Sequence, residues 1–443
     1  VAVAQEVGLP IELFELVGCS RPIPLLFGAV VVVVFAGHGC HLLAGLSRHC
    51  VTEPVIRYIS EPRHADAKTC RTRGVAVIYH ATVRGTGRTM QTTHRVVIDD
   101  ARGLDALAAD SVELVVTSPP YPMIEMWDSL FTDLDPTIGD QLAAGDGEAA
   151  FEGMHTILDE VWAALDRVLV DGGIACINIG DATRTLDGGF RVYQNRARII
   201  DALTARGFEP LPEVVWRKPA NSAAKFMGSG MVPPNAYVTL EHEYVLPFRK
   251  GSDRRSFEPN ADRRYNAAYF WEERNRWFSD LWTELRGVDQ SLADDDLRDR
   301  SAAFPFGLPY RLINMYSVYG DTVCDPFFGT GTTGLAAAVA GRNSVGYELD
   351  PAFGSVFADR LADAPDLSRQ VLGDRLAAHR AFVAAEREAG ETFGYDATYY
   401  DVPVRTKQEQ ALRFYQIDSV TATDTGYRVT HSPFDEDSPA SST

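Results

Sequence analysis

A chain of 443 residues is long enough to hold one large domain and a smaller domain inserted into it or appended to it. The formal net charge of −19 excludes a surface that is basic overall, so contact with a polyanion would need local clusters of cations. The six cysteines do not occur in metal-ligand pairs, so we expect neither a metal site nor a disulfide framework. Only five of the 42 basic residues are lysines, and this acidic, lysine-poor composition predicts adaptation to high salt, where screening shortens the range of charge repulsion.

The first 89 residues differ from the remainder in composition. They contain four of the six cysteines and one hydrophobic run at 23–46, with little periodicity after it. We interpret 1–89 as an upstream extension from a misassigned start, with Met90 beginning the functional protein. Two alternatives stay open. One is a membrane-spanning helix at 25–36, which lacks an aromatic belt at its ends, and the other is an unrelated soluble extension.

An apolar run at 112–116 predicts a strand, and the turn after it reads Thr117-Ser118-Pro119-Pro120-Tyr121. The two prolines fix φ and remove competing donors, which leaves the Ser118 side chain and a proline carbonyl as acceptors for an exocyclic NH2 group. The Tyr121 ring can stack on the face of a base. Residues 118–121, the Pro-Pro-Tyr turn, therefore indicate chemistry at an amino group. The alternative is a proline-stiffened loop after a core strand.

The next part of the chain alternates between helix and strand. The pattern predicts a helix at 161–170, closed by Gly172 and Gly173, and strands at 174–177, 214–216 and 244–248. Such alternation favours a mostly parallel sheet with helices on both faces. Ligands in open α/β sheets lie beyond the carboxyl ends of strands, so Asp181 and Lys218 are candidates for the rim of a site. The alternative is that both are solvated loop residues.

The segment 251–300 departs from this rhythm, because arginines are interleaved with aromatic residues. Guanidinium groups suit phosphate oxygens and guanine edges, and aromatic rings stack where a base is displaced. We interpret the segment as a nucleic-acid recognition region. The alternative is a helical subdomain with an aromatic core, whose arginines pair with Asp262, Glu272, Glu273 and Asp280. The candidate contacts are Arg254, Arg255, Arg263, Arg264, Arg274 and Arg276.

The segment 321–348 reads as a strand, a glycine turn, a helix and a second strand that ends at Glu348. The glycine turn comprises residues 325–333, Asp-Pro-Phe-Phe-Gly-Thr-Gly-Thr-Thr. Glycines let the backbone approach a ligand, a helix amino terminus favours an anionic group, and a strand-end acid accepts from ribose hydroxyls. No Gly-Lys-Ser/Thr follows the glycines, so the turn is not a Walker phosphate loop.

Together, the two turns resemble those of the β-class DNA amino-methyltransferases that use S-adenosylmethionine, in which the Pro-Pro-Tyr turn precedes the glycine turn. The resemblance covers roughly 90–351. The form Thr-Ser-Pro-Pro-Tyr is typical of cytosine-N4 enzymes, whereas adenine-N6 enzymes more often carry Asp or Asn at the serine position. The resemblance implies an α/β fold, a circularly permuted Rossmann-like sheet with helices on both faces and an inserted target-recognition region at 251–300.

The resemblance also implies roles for individual residues. Ser118, Pro119, Pro120 and Tyr121 would form the catalytic pocket for a base turned out of the duplex. The stretch 95–100 resembles the strand of the family that ends near the cofactor's adenine, although Asp99 replaces the usual glycine. The residues implied to bind S-adenosyl-L-methionine are Asp100, Phe304, Pro305, Asp325, Pro326, Phe327, Gly329, Gly331, Thr332 and Glu348.

The implied organisation is a catalytic half at 90–250, a recognition region at 251–300, a cofactor half at 301–365, and a helix with a polar, acidic tail at 366–443. Expected partners are double-stranded DNA and a cognate restriction endonuclease, in the cytoplasm and without membrane association. Adenine-N6 methylation and a non-catalytic DNA-binding protein with this fold stay open as alternatives. An RNA or protein-glutamine methyltransferase is disfavoured, because its glycine motif would normally come first.

Overall fold

The computed structural model describes residues 30–34, 76–80, 89–218, 227–228, 232–285 and 304–436. The chain divides into two compact units, Val1–Gly87 and Arg88–Thr443. In the first unit, strand β1 (Val30–Val34) pairs antiparallel with β2 (Ala76–His80). The membrane-helix interpretation of 25–36 is therefore wrong over Val30–Val34, and its other residues lie outside the described ranges. Within those ranges, no helix has the length and apolar character needed to cross a bilayer.

The second unit combines strands and helices along its whole described length. Its strands are β3 (Met90–Ile98), β4 (Val112–Thr117), β5 (Leu169–Ile179), β6 (Ala182–Leu186), β7 (Gly189–Tyr193), β8 (Phe208–Pro210), β9 (Val214–Arg217), β10 (Met227–Gly228), β11 (Ala236–Tyr237), β12 (His242–Lys250), β13 (Leu281–Trp282), β14 (Thr322–Asp325), β15 (Asn343–Glu348), β16 (Tyr395–Asp396), β17 (Pro403–Val404), β18 (Tyr415–Thr423) and β19 (Gly426–Pro433). Its α-helices are α1 (Asp128–Leu134), α2 (Pro136–Ala143), α3 (Gly147–Val168), α4 (Asn195–Ala205), α5 (Asp262–Asn266), α6 (Trp271–Trp277), α7 (Gly307–Tyr316), α8 (Thr332–Val339), α9 (Ala352–Ala362) and α10 (Ala364–Glu388).

One large sheet organises this unit. Among the described residues it has eleven strands, in the order β13-β9-β12-β5-β4-β14-β15-β3-β19-β18, with β8 paired to β12. The central strands β5, β4, β14, β15 and β3 are all parallel, whereas β12 and β19 join them antiparallel. The fold is therefore α/β with a parallel centre, and the strands expected at 112–116, 174–177, 214–216 and 244–248 are confirmed.

Helices cover both faces of the central strands, because those strands bury apolar side chains on both sides. On one face, α3 contributes Trp162 and Leu165 to the core. On the other face, α7 contributes Leu312 and α8 contributes Leu335 and Ala336. Every residue of α8 is buried, and apart from Thr332 and Thr333 at its start the helix is made of Gly, Ala, Leu and Val. Burying each large apolar side chain stabilises the fold by about 1.5–3 kcal/mol.

The helix predicted at 161–170 is confirmed up to Val168, as the last part of α3, and 169–170 belong to β5. The helix begins at Gly147 because Asp146 caps it by accepting from Ala149 N. The two glycines expected to close this helix lie inside β5 instead. Gly172 has a φ of 74°, and a Cβ there would lie 2.7 Å from the backbone nitrogen of Arg255. Gly172 therefore allows a close approach of the following segment to the sheet.

The residues after α10 differ from the polar tail expected there. Strand β18 pairs with β19, and β19 pairs antiparallel with β3, so both extend the main sheet. Ile417, Val429 and Phe414 are buried in the core. The sequence signal was weak because β18 is an edge strand, and most of its side chains from Asp418 onward are exposed.

Candidate active site

The carboxyl ends of the parallel strands meet at one edge of the sheet, where a cavity of about 570 Å³ opens. The Pro-Pro-Tyr turn follows β4 and the glycine turn follows β14, so these neighbouring strands bring both turns to this edge. Of the candidate residues, the ones that line the cavity are Asp100, Ser118, Pro119, Pro120, Tyr121, Lys218, Phe304, Asp325, Pro326, Phe327, Gly329, Thr332 and Glu348.

Asp325 links the two turns. Its Oδ1 accepts hydrogen bonds from Thr117 Oγ1 at 2.6 Å and from Phe327 N at 3.1 Å. The residue is only 3% exposed. Burial raises the pKa of its carboxyl to about 6, although the hydrogen bonds from Thr117 and Thr333 act in the opposite direction. A cationic group that enters the cavity would therefore meet a buried acid in its wall.

The glycine turn needs glycine at two positions. Gly329 and Gly331 have φ values of 50° and 75°, and a Cβ on Gly331 would collide with the Phe357 ring. Gly329 N donates to Glu348 Oε2 at 2.8 Å, and Asp350 N donates to Glu348 Oε1 at 3.0 Å. The acid at the end of β15 is thus held against the turn, and burial raises the pKa of Glu348.

A hydrogen-bond network lies behind the Pro-Pro-Tyr turn. Ser118 Oγ donates to Tyr121 Oη at 3.2 Å, and Tyr121 Oη donates to Glu243 Oε2 at 3.0 Å. Asn178 Nδ2 donates to both Tyr121 Oη and Glu243 Oε2, at 2.9 Å and 2.7 Å respectively. Lys218 Nζ donates to Glu243 Oε1 at 2.5 Å. Burial, reinforced by the charge of Glu243, raises the pKa of Tyr121 well above its usual value, so the hydroxyl stays protonated.

Three residues expected in or beside the site do not line the cavity. Pro305 begins the turn into α7, where its carbonyl accepts from Leu308 N. Gly331 lies one residue before α8, where its conformation shapes the turn. Asp181 accepts from Arg196 N at 3.0 Å near the start of α4, so it supports a helix.

Two residues of the network, Asn178 and Glu243, were not identified from the sequence. Asn178 lies in β5 between buried Ile177 and Ile179, and Glu243 lies in β12 between half-buried His242 and Tyr244. The available signal was an acid directly before the apolar run 244–248, since a carboxylate in a buried strand is costly unless it is paired. Asp100, a candidate from the sequence, accepts from Arg102 Nε at 2.8 Å and from Arg102 N at 2.9 Å.

The six candidate arginines of 251–300 do not line the cavity. Arg255 donates to buried Asp321 through both terminal nitrogens, at 2.7 Å and 2.9 Å. Asp321 directly precedes β14, so this ion pair lies at the amino ends of the parallel strands, opposite the cavity edge. The other five are exposed: Arg254, Arg263, Arg264, Arg274 and Arg276.

Aromatic residues of the same segment divide between core and surface. Phe270, Trp277 and Trp282 are buried, as the helical-subdomain alternative expects. The acids named in that alternative do not all pair locally, since Glu273 contacts Arg375 of α10. Phe257 lies among three guanidinium groups, those of Arg255, Arg263 and Arg264, at 5.1–5.6 Å from its ring centre.

The family model for N6/N4 DNA methylases matches residues 112–358, a stretch that contains both turns and more than half of the chain. The chain belongs to the N6/N4 DNA methylase family. Two curated methylases are similar to it. The type II methyltransferase M.MthZI of Methanothermobacter thermautotrophicus is 49% identical over 329 residues, which cover 74% of this chain and 91% of that protein. The type II methyltransferase M.MjaI of Methanocaldococcus jannaschii is 47% identical over 281 residues, 61% of this chain and 91% of that one.

Among solved structures, this DNA methylase is similar to a putative DNA modification methylase from Thermus thermophilus, crystallised with S-adenosyl-L-methionine. The sequence identity is 30% and the TM-score is 0.48, and the match covers 61% of this chain and 94% of that one.

Proposed function

We propose that the protein is an S-adenosylmethionine-dependent DNA methyltransferase that acts on the N4 amino group of cytosine. The observation that carries the proposal is that the Pro-Pro-Tyr turn and the glycine turn line one cavity. Its volume of about 570 Å³ lies within the range of small-molecule sites, roughly 300–1,000 Å³. A cofactor and a flipped base can therefore meet there.

The cofactor side of the cavity offers groups that fit S-adenosylmethionine. The buried carboxyl of Asp325 would pair with the ammonium of the methionine moiety, while Phe327 supplies an apolar wall. Glu348, fixed by Gly329 N, would accept from the ribose hydroxyls. Asp100 would accept from the adenine amino group. When bound, the cofactor would supply a methyl group on a positively charged sulfur.

The Pro-Pro-Tyr turn would hold the methyl acceptor. Ser118 Oγ and the Pro119 carbonyl would accept the two amino hydrogens, which draws the nitrogen lone pair out of conjugation with the base ring. Tyr121, whose hydroxyl is fixed by Asn178 and Glu243, would present its ring face to the base. The base must leave the duplex, since an amino group inside the stack cannot align with a sulfonium methyl group. Rate acceleration would come mainly from this orientation.

The cytosine specificity is supported by the residues Thr117-Ser118-Pro119-Pro120-Tyr121, the form typical of cytosine-N4 enzymes. The test is to incubate the purified protein with unmethylated DNA and labelled cofactor, digest the DNA to nucleosides and weigh the products. We expect 4-methylcytosine. Detection of 6-methyladenine alone would overturn the base assignment, and no methylated nucleoside would overturn methyl transfer to DNA.

The partners we propose are double-stranded DNA and a cognate restriction endonuclease. For the DNA, we propose contacts from the arginines of 251–300, five of which are exposed. At high ionic strength, salt would screen the repulsion between DNA and the net charge of −19 on the protein, while the arginine contacts would act at short range. Methylation should therefore persist at high ionic strength. Unfolding by urea at low and high salt would check the salt adaptation, which requires greater stability at high salt.

A further inference from the structure

A half-buried carboxylate ends the hydrogen-bond network behind the Pro-Pro-Tyr turn. The Glu243 side chain is 13% exposed and lies at the beginning of β12, beside the end of β5. A Cβ on Gly180 would lie 3.2 Å from Tyr121 Cε2 and 3.3 Å from Glu243 Cγ. Gly180 therefore leaves the space in which Tyr121 and Glu243 meet.

The carboxylate dictates the direction of the hydrogen bonds. An ionised carboxylate can only accept, so Tyr121 and Asn178 both donate to Glu243 Oε2. Tyr121 has then used its proton, and its Oη accepts from Ser118 Oγ at 3.2 Å. The main-chain carbonyl oxygen of Asn178, also 3.2 Å from Ser118 Oγ, offers that proton a second acceptor. In either case the Ser118 proton points into the network, and lone pairs face the cavity.

The carboxylate of Glu243 also fixes the orientation of the Asn178 side-chain amide. Its Nδ2 faces the carboxylate, while its Oδ1 is buried with no hydrogen-bond partner in the described part of the chain. The opposite orientation would place Oδ1 against the negative charge of Glu243. With Nδ2 directed at Glu243, the buried Oδ1 of Asn178 is left without a hydrogen bond, which costs free energy.

We propose that Glu243 is a positioning residue that makes Ser118 meet the substrate as a hydrogen-bond acceptor. Lys218 holds Oε1 at 2.5 Å, which leaves Oε2 for Tyr121 and Asn178. An exocyclic NH2 group needs acceptors. In a reversed network Tyr121 would donate to Ser118 and occupy a lone pair that an amino hydrogen needs, and the Asn178 carbonyl oxygen would be left as the acceptor for the Ser118 proton. The inference rests on the proposed methyl transfer to an amino group, and it holds for cytosine and adenine alike.

The test uses Glu243→Gln, which keeps the size of the side chain. Lys218 requires the amide oxygen, so the new NH2 faces Tyr121 and Asn178 and reverses the network. We expect the single-turnover rate of methyl transfer to fall about tenfold or more. Cofactor affinity should stay near that of the wild type, which also shows that the variant is folded.

A second substitution separates an effect of Glu243 on hydrogen-bond direction from a purely structural role of Glu243 between β9 and β12. In the double variant Glu243→Gln/Lys218→Met, the amide can turn its oxygen toward Tyr121, so we expect more activity than in Glu243→Gln alone. If Glu243 only braced β9 against β12, the double variant would be less active and would melt at a lower temperature, which overturns the proposal. The matched control is Glu241→Gln, which removes an exposed ion pair with Arg217 beside the same pair of strands and should leave the rate unchanged.

The nucleoside analysis keeps the two proposals apart. If the wild-type enzyme produces 6-methyladenine, the cytosine assignment fails while the comparison of Glu243 variants retains its meaning. If the wild type produces 4-methylcytosine and Glu243→Gln matches its single-turnover rate, the positioning role fails while the proposed function stands.

Discussion

Thr117 Oγ1 lies 2.6 Å from Asp325 Oδ1, and this hydrogen bond joins residues 208 positions apart in the sequence. Thr117 is the last residue of β4, directly before the Pro-Pro-Tyr turn. Asp325 is the last residue of β14 and the first of the glycine turn. Because β4 and β14 are parallel neighbours, one buried contact fixes the spacing between the acceptor side and the cofactor side of the cavity.

Replacing Thr117 by Val removes this hydroxyl and keeps the side-chain shape. We expect the free energy of unfolding to fall by about 1–3 kcal/mol, because Asp325 loses a buried hydrogen-bond partner. Urea unfolding would measure the loss. Thr117→Ser retains the hydroxyl and serves as the control. Greater destabilisation by Ser than by Val would show that packing of the Thr117 methyl group, which Val keeps and Ser removes, matters more than the hydrogen bond.

The ionisation of Asp325 should affect both stability and ligand binding. As the pH rises, it should lower the stability and raise the affinity for the ligand. Burial raises its pKa from 3.8 to about 6, so its contribution to stability is present below the unfolded pKa and is lost as the pH rises through about 6. The ammonium of S-adenosylhomocysteine would instead favour the carboxylate. Calorimetry should therefore show tighter binding at about pH 7.5 than at about pH 5. Asp325→Asn should remove this difference, and its persistence would assign the titration to another group.

The sequence allowed prediction of both turns because each follows a strand of strong apolar pattern. Val115 and Cys324 are fully buried in neighbouring parallel strands, so the site-bearing ends of β4 and β14 could be located from local pattern alone. The meeting of the turns in one cavity follows from the parallel order of the strands. These features depend on periodicity and turn chemistry, which a sequence displays directly.

Other features depend on contacts between distant segments, which local pattern does not display. Glu243 and Asn178 meet Tyr121 only because β12 joins β5 antiparallel beside the parallel centre of the sheet. Arg255 was assigned to DNA contact by its neighbours in sequence, yet its guanidinium pairs with buried Asp321. The edge strand β18 is mostly polar because solvent covers it, so its alternation was too weak to predict a strand.

The exposed arginines of 251–300 should not contribute equally to DNA binding. Arg263 and Arg264 lie beside Phe257, in the cluster that holds Asp321 at the edge opposite the cavity. We expect Arg263→Gln/Arg264→Gln to change affinity less than Arg274→Gln/Arg276→Gln. DNA-binding titrations at several salt concentrations would measure this difference in affinity. Each lost phosphate contact reduces the magnitude of the slope of log K against log salt by about 0.9. A larger change of slope in the first variant would place the duplex at the Phe257 cluster.

His379 should make stability depend on pH near neutrality. Its ring stacks on Phe270 with centroids 3.8 Å apart. Its Nδ1 lies 2.9 Å from Glu272 Oε1, and its Nε2 lies 2.9 Å from the Pro403 carbonyl oxygen. Both partners only accept hydrogen bonds, so both ring nitrogens must carry protons. Burial lowers the pKa of His379, but the hydrogen bond and charge of Glu272 outweigh this effect, so the pKa is raised above 6.5.

A histidine with a raised pKa contributes stability that is fully present below its unfolded pKa and is lost as the pH rises through the folded value. Urea unfolding should therefore show lower stability at about pH 8.5 than at about pH 6. Glu272→Gln keeps an acceptor but removes the charge, so we expect it to be less stable than the wild type at about pH 6 and nearly equal to it at about pH 8.5. The same loss at both pH values would show that Glu272 acts through packing, and that the His379 charge does not hold α6 to α10.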